Sequence, residues 1–358
     1  MGVIHVFPDW RENPYLNMLY LGARAEGWQV DGSIDLPGLL PGLAGLRGGD
    51  VFHLHWTSPV CDAQATARDA RAALDAFRGA VDAALREGVR LVWTIHNLVA
   101  HDSRYPDLEV ELAEFLADRA TAVIQLNPCT VAAAREFYLV PTHKVRTLRH
   151  ASYLGIYPPA PSRQDARESF DLAPTRRTVG FVGRIRPYKG IETLLAAVGL
   201  AAREVDGLTL LLAGRTDPAH KAELDKLMPA GVPVVSRHSF VPDADLGRWF
   251  SACDVMAFPY QRILNSGSLL LSATYGKPCI LPAEPHLVGA LEGEDWVTFF
   301  SPGARAAESL AEAIVAALGR PTSRPGRSAR RFAGEYTAYD MAWDYVRLLE
   351  ELPGLEGR

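Results

Sequence analysis

The 358-residue chain holds four cysteines, Cys61, Cys129, Cys253 and Cys279, with no C-x-x-C pair among them. That spacing excludes a thiolate zinc site and a disulfide framework, and it reads as reduced, partly buried thiols in a cytosolic protein. Lysine is scarce: five residues, so nearly all the positive charge is arginine. No basic run stands out and the formal net charge is −5, which speaks against a nucleic-acid or anionic-membrane surface. No apolar run approaches the roughly 18 residues that a membrane-spanning helix needs. The first residues, "MGVIHVFPDW", begin on a strand-like segment without a charged leader or a long apolar signal region. These absences predict a cytoplasmic protein, and the wealth of arginine, alanine, glycine and proline is that of a GC-rich bacterial genome. Neither G-x-x-x-x-G-K-[ST] nor a G-x-G-x-x-G after the first strand of either half is present. A Walker loop and a dinucleotide fingerprint are thereby excluded. With no Tyr-x-x-x-Lys pair on a helix either, a sugar-nucleotide epimerase is disfavoured.

What remains is ample material for cores: 48% hydrophobic and 22% charged residues suit two globular domains. Short β-rich runs alternate with helical patterns. "VIHVF" (3–7), "DVFHLHW" (50–56), "VRLVWTIH" (89–96), "TAVIQL" (121–126) and "HKVRTLRH" (143–150) predict strands. Leu74, Phe77, Val81 and Leu85 give the segment 63–87 one buried helical face. Residues 154–177, with four prolines, read as a linker. The alternation restarts with "TVGFVG" (178–183), "LTLLLAG" (208–214), "VPVVS" (232–236), "CDVMAFP" (253–259) and "KPCILP" (277–282), and ends in an amphipathic helix over 336–352. Two βαβ series predict an α/β protein with two doubly wound, Rossmann-like parallel sheets facing across a cleft. The expected domains are 1–157 with the C-terminal helix 336–358, and 175–335.

The stretch "FVGRIRPYKGIETLL" (181–195) concentrates chemistry. A strand stops at Gly183, then Arg184, Arg186, Lys189 and Gly190 precede a helix. A glycine-bearing strand-to-helix turn brings backbone N–H groups to an anion, and the helix dipole adds attraction. Cations in the same turn add charge-assisted hydrogen bonds to phosphate. Alone, the turn also reads as a surface loop with solvated cations.

"FVGRIRPYKGIETLLAA" resembles the start of the C-terminal domain of family-4 glycosyltransferases, whose pattern is roughly F-x-G-R-x-x-x-x-K-G-x-x-x-L-L-x-A. "LLLAG", "SFVPDADLGRWFSACDVMAFPY" and "SGSLLLSATYGKPCILP" continue the resemblance in order, and "HLHW" and "TIHN" match N-domain strand ends. The resemblance implies a GT-B fold, with a nucleotide sugar held mainly by the second domain, an acceptor hydroxyl of a saccharide or small molecule by the first, and a C-terminal helix crossing back to the first. It implies retention of anomeric configuration without a metal or other cofactor, in polysaccharide, glycolipid or natural-product glycosylation. Arg184 and Lys189 would grip the donor diphosphate beside Gly183, and His96 would contact the sugar near its anomeric carbon. Asn265, Ser266, Gly267 and Ser268, opening a helix, would complete the phosphate cradle, although serine and asparagine also serve as ordinary helix caps. The segment Arg237, His238, Ser239, Phe240 and Val241 matches the nucleobase region.

Two glutamates that many family members carry around the donor loop fall here on Ile263 and Leu271. Their loss leaves open a catalytically silent, nucleotide-binding GT-B subunit that supports a partner enzyme. It also suggests a deoxythymidine diphosphate donor, whose sugar has no 2′-hydroxyl to read. Arg11, Asn13, Asn97, His101 and His150 are further candidates for a cleft, with Asp102 weaker. Asn13-Pro14 also reads as plain helix initiation. His53 and His55 share a strand face but lack a third ligand, so core or cleft-lining histidines are expected rather than a metal site. "DAD" at 243–245 reads as a helix N-cap at Asp243. The apolar "LPGLLPGLAGLRGG" (36–49) reads either as a short helix beneath the sheet or as a weak peripheral contact with a lipid-linked acceptor.

Overall fold

Among the described residues, twelve parallel strands alternating with helices form two sheets of six. A computed structural model describes residues 2–99, 103–261, 264–321 and 323–354. The chain divides into one unit of residues 1–151 with 338–358, and another of residues 152–337. In the first, β1 (Val3–Phe7), β2 (Gln29–Gly32), β3 (Val51–Leu54), β4 (Arg90–Ile95), β5 (Ala122–Gln125) and β6 (Val145–Thr147) lie in the order β2-β1-β3-β4-β5-β6. In the second, β7 (Arg177–Val182), β8 (Leu208–Ala213), β9 (Val234–Arg237), β10 (Val255–Ala257), β11 (Cys279–Pro282) and β12 (Val297–Phe300) run β9-β8-β7-β10-β11-β12. Every pairing is parallel. Central strands are buried along their length, as sheets covered by helices on both faces require.

Strand order reverses between β1 and β3 in the first unit and between β7 and β10 in the second. The carboxyl ends of the strands at such a reversal leave the crevice where doubly wound folds take ligands. The Gly183 turn follows β7 at such a reversal and His55 follows β3, whereas His96 follows the neighbouring β4.

Several expectations are corrected. Each sheet has a sixth strand, β2 and β12, that the alternation did not announce; both are short edge strands with partly exposed residues. The stretch read as a linker folds onto the second unit. Its helix Arg163–Glu168 is capped by Ser162, whose Oγ accepts from Asp165 N at 3.1 Å. Arg167, buried, donates to the carbonyls of Ala173, Arg176 and Ala252 and to Thr178 Oγ1. Such a pin replaces the apolar periodicity that a helix usually needs. Asp243 is not an N-cap: Pro242 holds that position, and Asp243 opens the helix Asp243–Ala252. Asp245 in its first turn pairs with Arg248 and Arg237. The apolar 36–49 stretch is a helix, Leu36–Gly45, whose Leu36, Leu39 and Leu43 are buried. The helix Ala338–Glu350 buries Met341, Tyr345 and Leu349 against the helices Pro14–Leu19 and Leu21–Ala25 of the first unit. Cys61, Cys253 and Cys279 are buried free thiols and Cys129 is exposed. Among the described residues no helix is long and apolar enough to cross a membrane.

Candidate active site

In the second unit the glycine turn is built by backbone contact. Gly183 N donates to Ala213 O at 3.0 Å, Ile185 N to Arg215 O at 3.0 Å, and Gly214 N to Arg237 O at 2.9 Å. The ends of β7, β8 and β9 are thus laced together. Gly214 sits at φ 158°, and a Cβ there would stand 1.7 Å from Gly183 O. Gly190, at φ 68°, caps the turn Pro187–Lys189, and its Cβ would stand 2.0 Å from Pro259 O. No side chain fits at either position, and both contacts are with backbone that cannot swing away. Gly214→Ala is therefore expected to destabilise the second unit by about 3 kcal/mol, through strain and displacement of the Gly183–Arg184 backbone. Urea unfolding measures it; a variant within about 0.5 kcal/mol of wild type would show that the turn yields freely.

Lys189 is aimed by aromatic rings. Its Nζ lies 3.8 Å from the centroid of Tyr260 and 5.1 Å from that of Tyr188, a cation–π arrangement that holds the ammonium at the end of β10. The helix Gly267–Thr274 starts beside the same turn: Ser268 Oγ donates to Val182 O at 3.3 Å. Ser266 is that helix's cap, its Oγ accepting from Leu269 N at 3.2 Å. Of the two uses foreseen for "NSGS", the Ser266 hydroxyl serves the capping one. The first backbone N–H groups of the helix lack intrahelical acceptors. Asn265 Nδ2 is buried without a hydrogen-bond partner among the described residues. Leu271, at one missing glutamate position, packs against the core; Ile263, at the other, lies outside the described residues.

In the nucleobase candidate, Arg237 Nε donates to Ser239 Oγ at 3.1 Å. His238 Nδ1 is hydrogen-bonded to Thr216 Oγ1 at 2.9 Å, and burial lowers its pKa. Phe240 is 67% exposed, whereas Val241 is buried.

In the first unit, a chain of rings runs inward from His96. His96 Nε2 is 3.1 Å from His55 Nδ1, His55 Nε2 is 2.6 Å from Tyr20 Oη, and Tyr20 Oη is 2.7 Å from His53 Nδ1. His53 Nε2 meets Thr94 Oγ1 at 2.9 Å, and Tyr345 Oη, from the C-terminal helix, is 2.9 Å from His53 Nδ1. Burial pushes the pKa of His53, His55 and His96 well below the ordinary histidine value, and neighbouring rings push the same way. His150 falls to about 4 by burial, partly opposed by its Nδ1–H donating to Ala151 O at 2.8 Å. A neutral imidazole donates at one nitrogen and accepts at the other, so the tautomers of His96, His55 and His53 are coupled through Tyr20. Sequence reading found His53 and His55 but neither tyrosine.

Trp56 stacks on His96 with centroids 4.1 Å apart, and Trp10 packs against Trp56 at 4.8 Å with the rings tilted by 30°. Tyr15 brings its ring to 5.0 Å from His96 and 4.9 Å from His150. Asn97 lines one pocket with His96. Asn13 caps the helix Pro14–Leu19 through its Oδ1, and exposed Arg11 pairs with Asp9 at 3.0 Å. His101 and Asp102 lie outside the described residues.

The two-sheet architecture is that of GT-B glycosyltransferases. Sucrose-phosphate synthase of Thermosynechococcus elongatus superposes with a TM-score of 0.77 at 18% identity, over 98% of this chain and 99% of that one. Anabaena Alr3699/HepE in complex with UDP-glucose gives 0.76 at 14%, over 98% and 100%. Residues 176–320 match the family model described as glycosyl transferases group 1. A GDP-mannose:glycolipid 4-beta-D-mannosyltransferase of Xanthomonas campestris pv. campestris is 26% identical over 307 residues, 82% of this chain and 77% of the relative. A D-inositol 3-phosphate glycosyltransferase of Thermobispora bispora is 28% identical over 296 residues, 75% and 67% of the two chains. The chain is a glycosyltransferase of GT-B fold. Over residues 176–320 it is similar to the glycosyl transferases of group 1.

Proposed function

We propose that the enzyme transfers a sugar from a nucleoside-diphosphate donor to an acceptor hydroxyl without a metal, retaining the anomeric configuration. Unit 152–337 takes the donor. The observation that carries this reading is the Gly183–Gly190 turn at the strand-order reversal, with Lys189 stacked on Tyr260 and the N-terminus of the helix Gly267–Thr274 beside it. Glycines let the backbone approach the diphosphate, the helix start donates N–H groups, and Asn265 Nδ2 is a buried donor without a hydrogen-bond partner among the described residues. Arg184 and Lys189 neutralise charge on the leaving diphosphate, a task for which other enzymes use a divalent ion. In this mechanism the protein supplies orientation and electrostatics rather than a nucleophile. His96, kept neutral by burial, orients the transferred sugar by hydrogen bonding. The residues 237–241 border the base. Names of relatives, a mannosyltransferase acting on a glycolipid and a glycosyltransferase of inositol phosphate, support a carbohydrate or polyol acceptor.

A calorimetric panel of uridine, guanosine, deoxythymidine, adenosine and cytidine diphosphates tests the donor half. One nucleotide is expected to bind the wild type, with affinity lost about tenfold or more in Arg184→Ala and Lys189→Ala. Preference for the deoxythymidine over the uridine compound would tie the packed Leu271 to donor choice. Binding by none of them would sink the reading. Binding without donor hydrolysis or transfer would favour a silent subunit.

A further inference from the structure

The histidine chain of the first unit has a direction, and its hydroxyl groups set it. Thr94 Oγ1 is buried, and among the described residues its hydrogen-bond partner is His53 Nε2, at 2.9 Å. A buried hydroxyl proton left without an acceptor is costly, so Thr94 donates and His53 Nε2 accepts. Burial keeps the rings of His53, His55 and His96 neutral, and a neutral His53 that accepts at Nε2 carries its proton on Nδ1. The surroundings of Nδ1 agree, since Tyr20 Oη and Tyr345 Oη stand 2.7 and 2.9 Å from it. One N–H can be shared between two oxygens, whereas one ring lone pair takes a single proton. Tyr20 Oη therefore accepts from His53 and has its own proton left for His55 Nε2. Their separation of 2.6 Å suits an O–H donor and is short for an N–H one. His55 must then be protonated on Nδ1, which donates to His96 Nε2 at 3.1 Å. Tyr20, His53 and His55 are buried, so none of them turns to solvent instead.

At the end of the chain, His96 Nε2 commits its lone pair to His55, and the neutral ring holds its proton on Nδ1. Trp56 stacked on its face and Tyr15 set edge-on fix the plane of the imidazole. Nδ1 has no hydrogen-bond partner among the described residues. The buried carboxyl of Glu109 lines the same pocket, but it accepts from Thr57 Oγ1 at 2.6 Å and not from the imidazole. An isolated histidine side chain prefers its proton on Nε2, so the chain holds His96 in the less common form.

We propose that Tyr20 is a positioning residue for His96: through His55 it fixes the imidazole with its proton on Nδ1, so that His96 offers the substrate a hydrogen-bond donor and no free lone pair. This rests on the reading of His96 as the residue that orients the transferred sugar, and adds the sense of that hydrogen bond and the group that sets it. An Nδ1–H holds a sugar oxygen. It does not take the proton of the acceptor hydroxyl, because one ring nitrogen already carries hydrogen and the other is occupied by His55.

The tautomer is read by long-range proton–nitrogen NMR correlation on the full chain with isotope-labelled histidine, at about pH 7.5, where histidine is neutral. The bare nitrogen of a neutral imidazole resonates well downfield of the protonated one, and the spectrum of His96→Gln identifies the His96 signals by their absence. In the wild type the His96 proton is expected on Nδ1. Tyr20→Phe cuts the chain, and most of the His96 population is expected to move its proton to Nε2. Tyr345→Phe removes a hydroxyl from the same cluster but leaves Thr94, His53, Tyr20 and His55 connected, so the proton should stay on Nδ1. A wild-type proton on Nε2 overturns the proposal, as does an Nδ1 proton that survives Tyr20→Phe or is lost equally in both tyrosine variants. The diphosphates of the calorimetric panel are titrated on the same samples, and hydrolysis of the glucose and mannose esters of the one that binds is followed. Tyr20→Phe is expected to lower kcat about tenfold with nucleotide affinity unchanged. A displaced tautomer with unaltered kcat would overturn the part given to His96 in the reaction and leave the wild-type proton assignment standing.

Discussion

Lowering the pH from about 7.5 to about 5.5 is expected to destabilise the unit of residues 1–151 and 338–358, and removing Glu109's carboxylate should make the loss larger. Histidine in an unfolded chain takes up its proton near pH 6.5. His53, His55, His96 and His150 resist protonation in the folded unit because burial removes the water that would solvate the charge. Below about 6.5 the unfolded state therefore binds more protons, and stability present above that pH drains away as pH falls. The fully buried His53 and His55 contribute most of this loss and the half-buried His96 and His150 less, for about 4 kcal/mol together over the interval. Glu109 works in the opposite direction. Its pKa is raised to about 7, so its contribution is full below about 4.5 and lost as pH rises through about 7. Acidification over the same interval returns about 2 kcal/mol from it. The wild type should lose about 2 kcal/mol net and Glu109→Gln about 4 kcal/mol, read as urea-unfolding free energies. Hydrogen exchange would place the loss in β3 and β4 rather than β7 and β8. A flat or rising stability in Glu109→Gln between the two pH values would mean that the four rings are solvated.

The histidine chain marks where sequence reading stopped. The alternation of His53 and His55 across "FHLH" was visible, but it does not say what the rings meet. The answer is Tyr20 and Tyr345, the latter 292 positions from His53. Only the packing of the helix Ala338–Glu350 on the first unit unites them. Glu109 had a still weaker signature, since Asp107 and Glu111 flank it in the same turn and only burial separates it from them. By contrast the central strands were legible, because fully buried parallel strands are continuous β-branched and aromatic runs. "QVDG" and "VTFF" were not: an edge strand is half solvated and needs only four residues. The docked helix Arg163–Glu168 was hidden for another reason, its anchor being one buried arginine among polar residues. The glycine turn was legible for its cations. What required coordinates was Gly214, a residue that read as the end of a strand and serves as the floor on which Gly183 rests.

Replacing either cation of that turn is expected to cost the enzyme about 10²–10³ in kcat/KM, or about 3–4 kcal/mol of transition-state stabilisation. Removing Lys189 by substitution to alanine takes the ammonium off the Tyr260 face, where its distance of 3.8 Å fixes its position without an entropic cost at the moment of reaction. The loss should fall unevenly. In an intact nucleotide sugar the distal phosphate is esterified; once the glycosidic bond breaks, that phosphate carries additional charge. A cation that serves the leaving group must hold the product more strongly than the substrate, since interactions that strengthen along the reaction are those that raise kcat. Lys189→Ala and Arg184→Ala should therefore weaken the free nucleoside diphosphate more than the nucleotide sugar, and lower kcat more than they raise KM for the donor. Tyr260→Leu, which keeps the lysine but removes its platform, should show the same uneven pattern at roughly a fivefold loss. Steady-state rates of donor hydrolysis, with calorimetry of both nucleotides, measure all three. Equal weakening of the two nucleotides would assign the cations to uniform binding, and unaltered rates would remove them from the reaction. Uneven weakening in all three variants would place the diphosphate between Lys189 and the Gly183 backbone, where bond breaking deposits the charge.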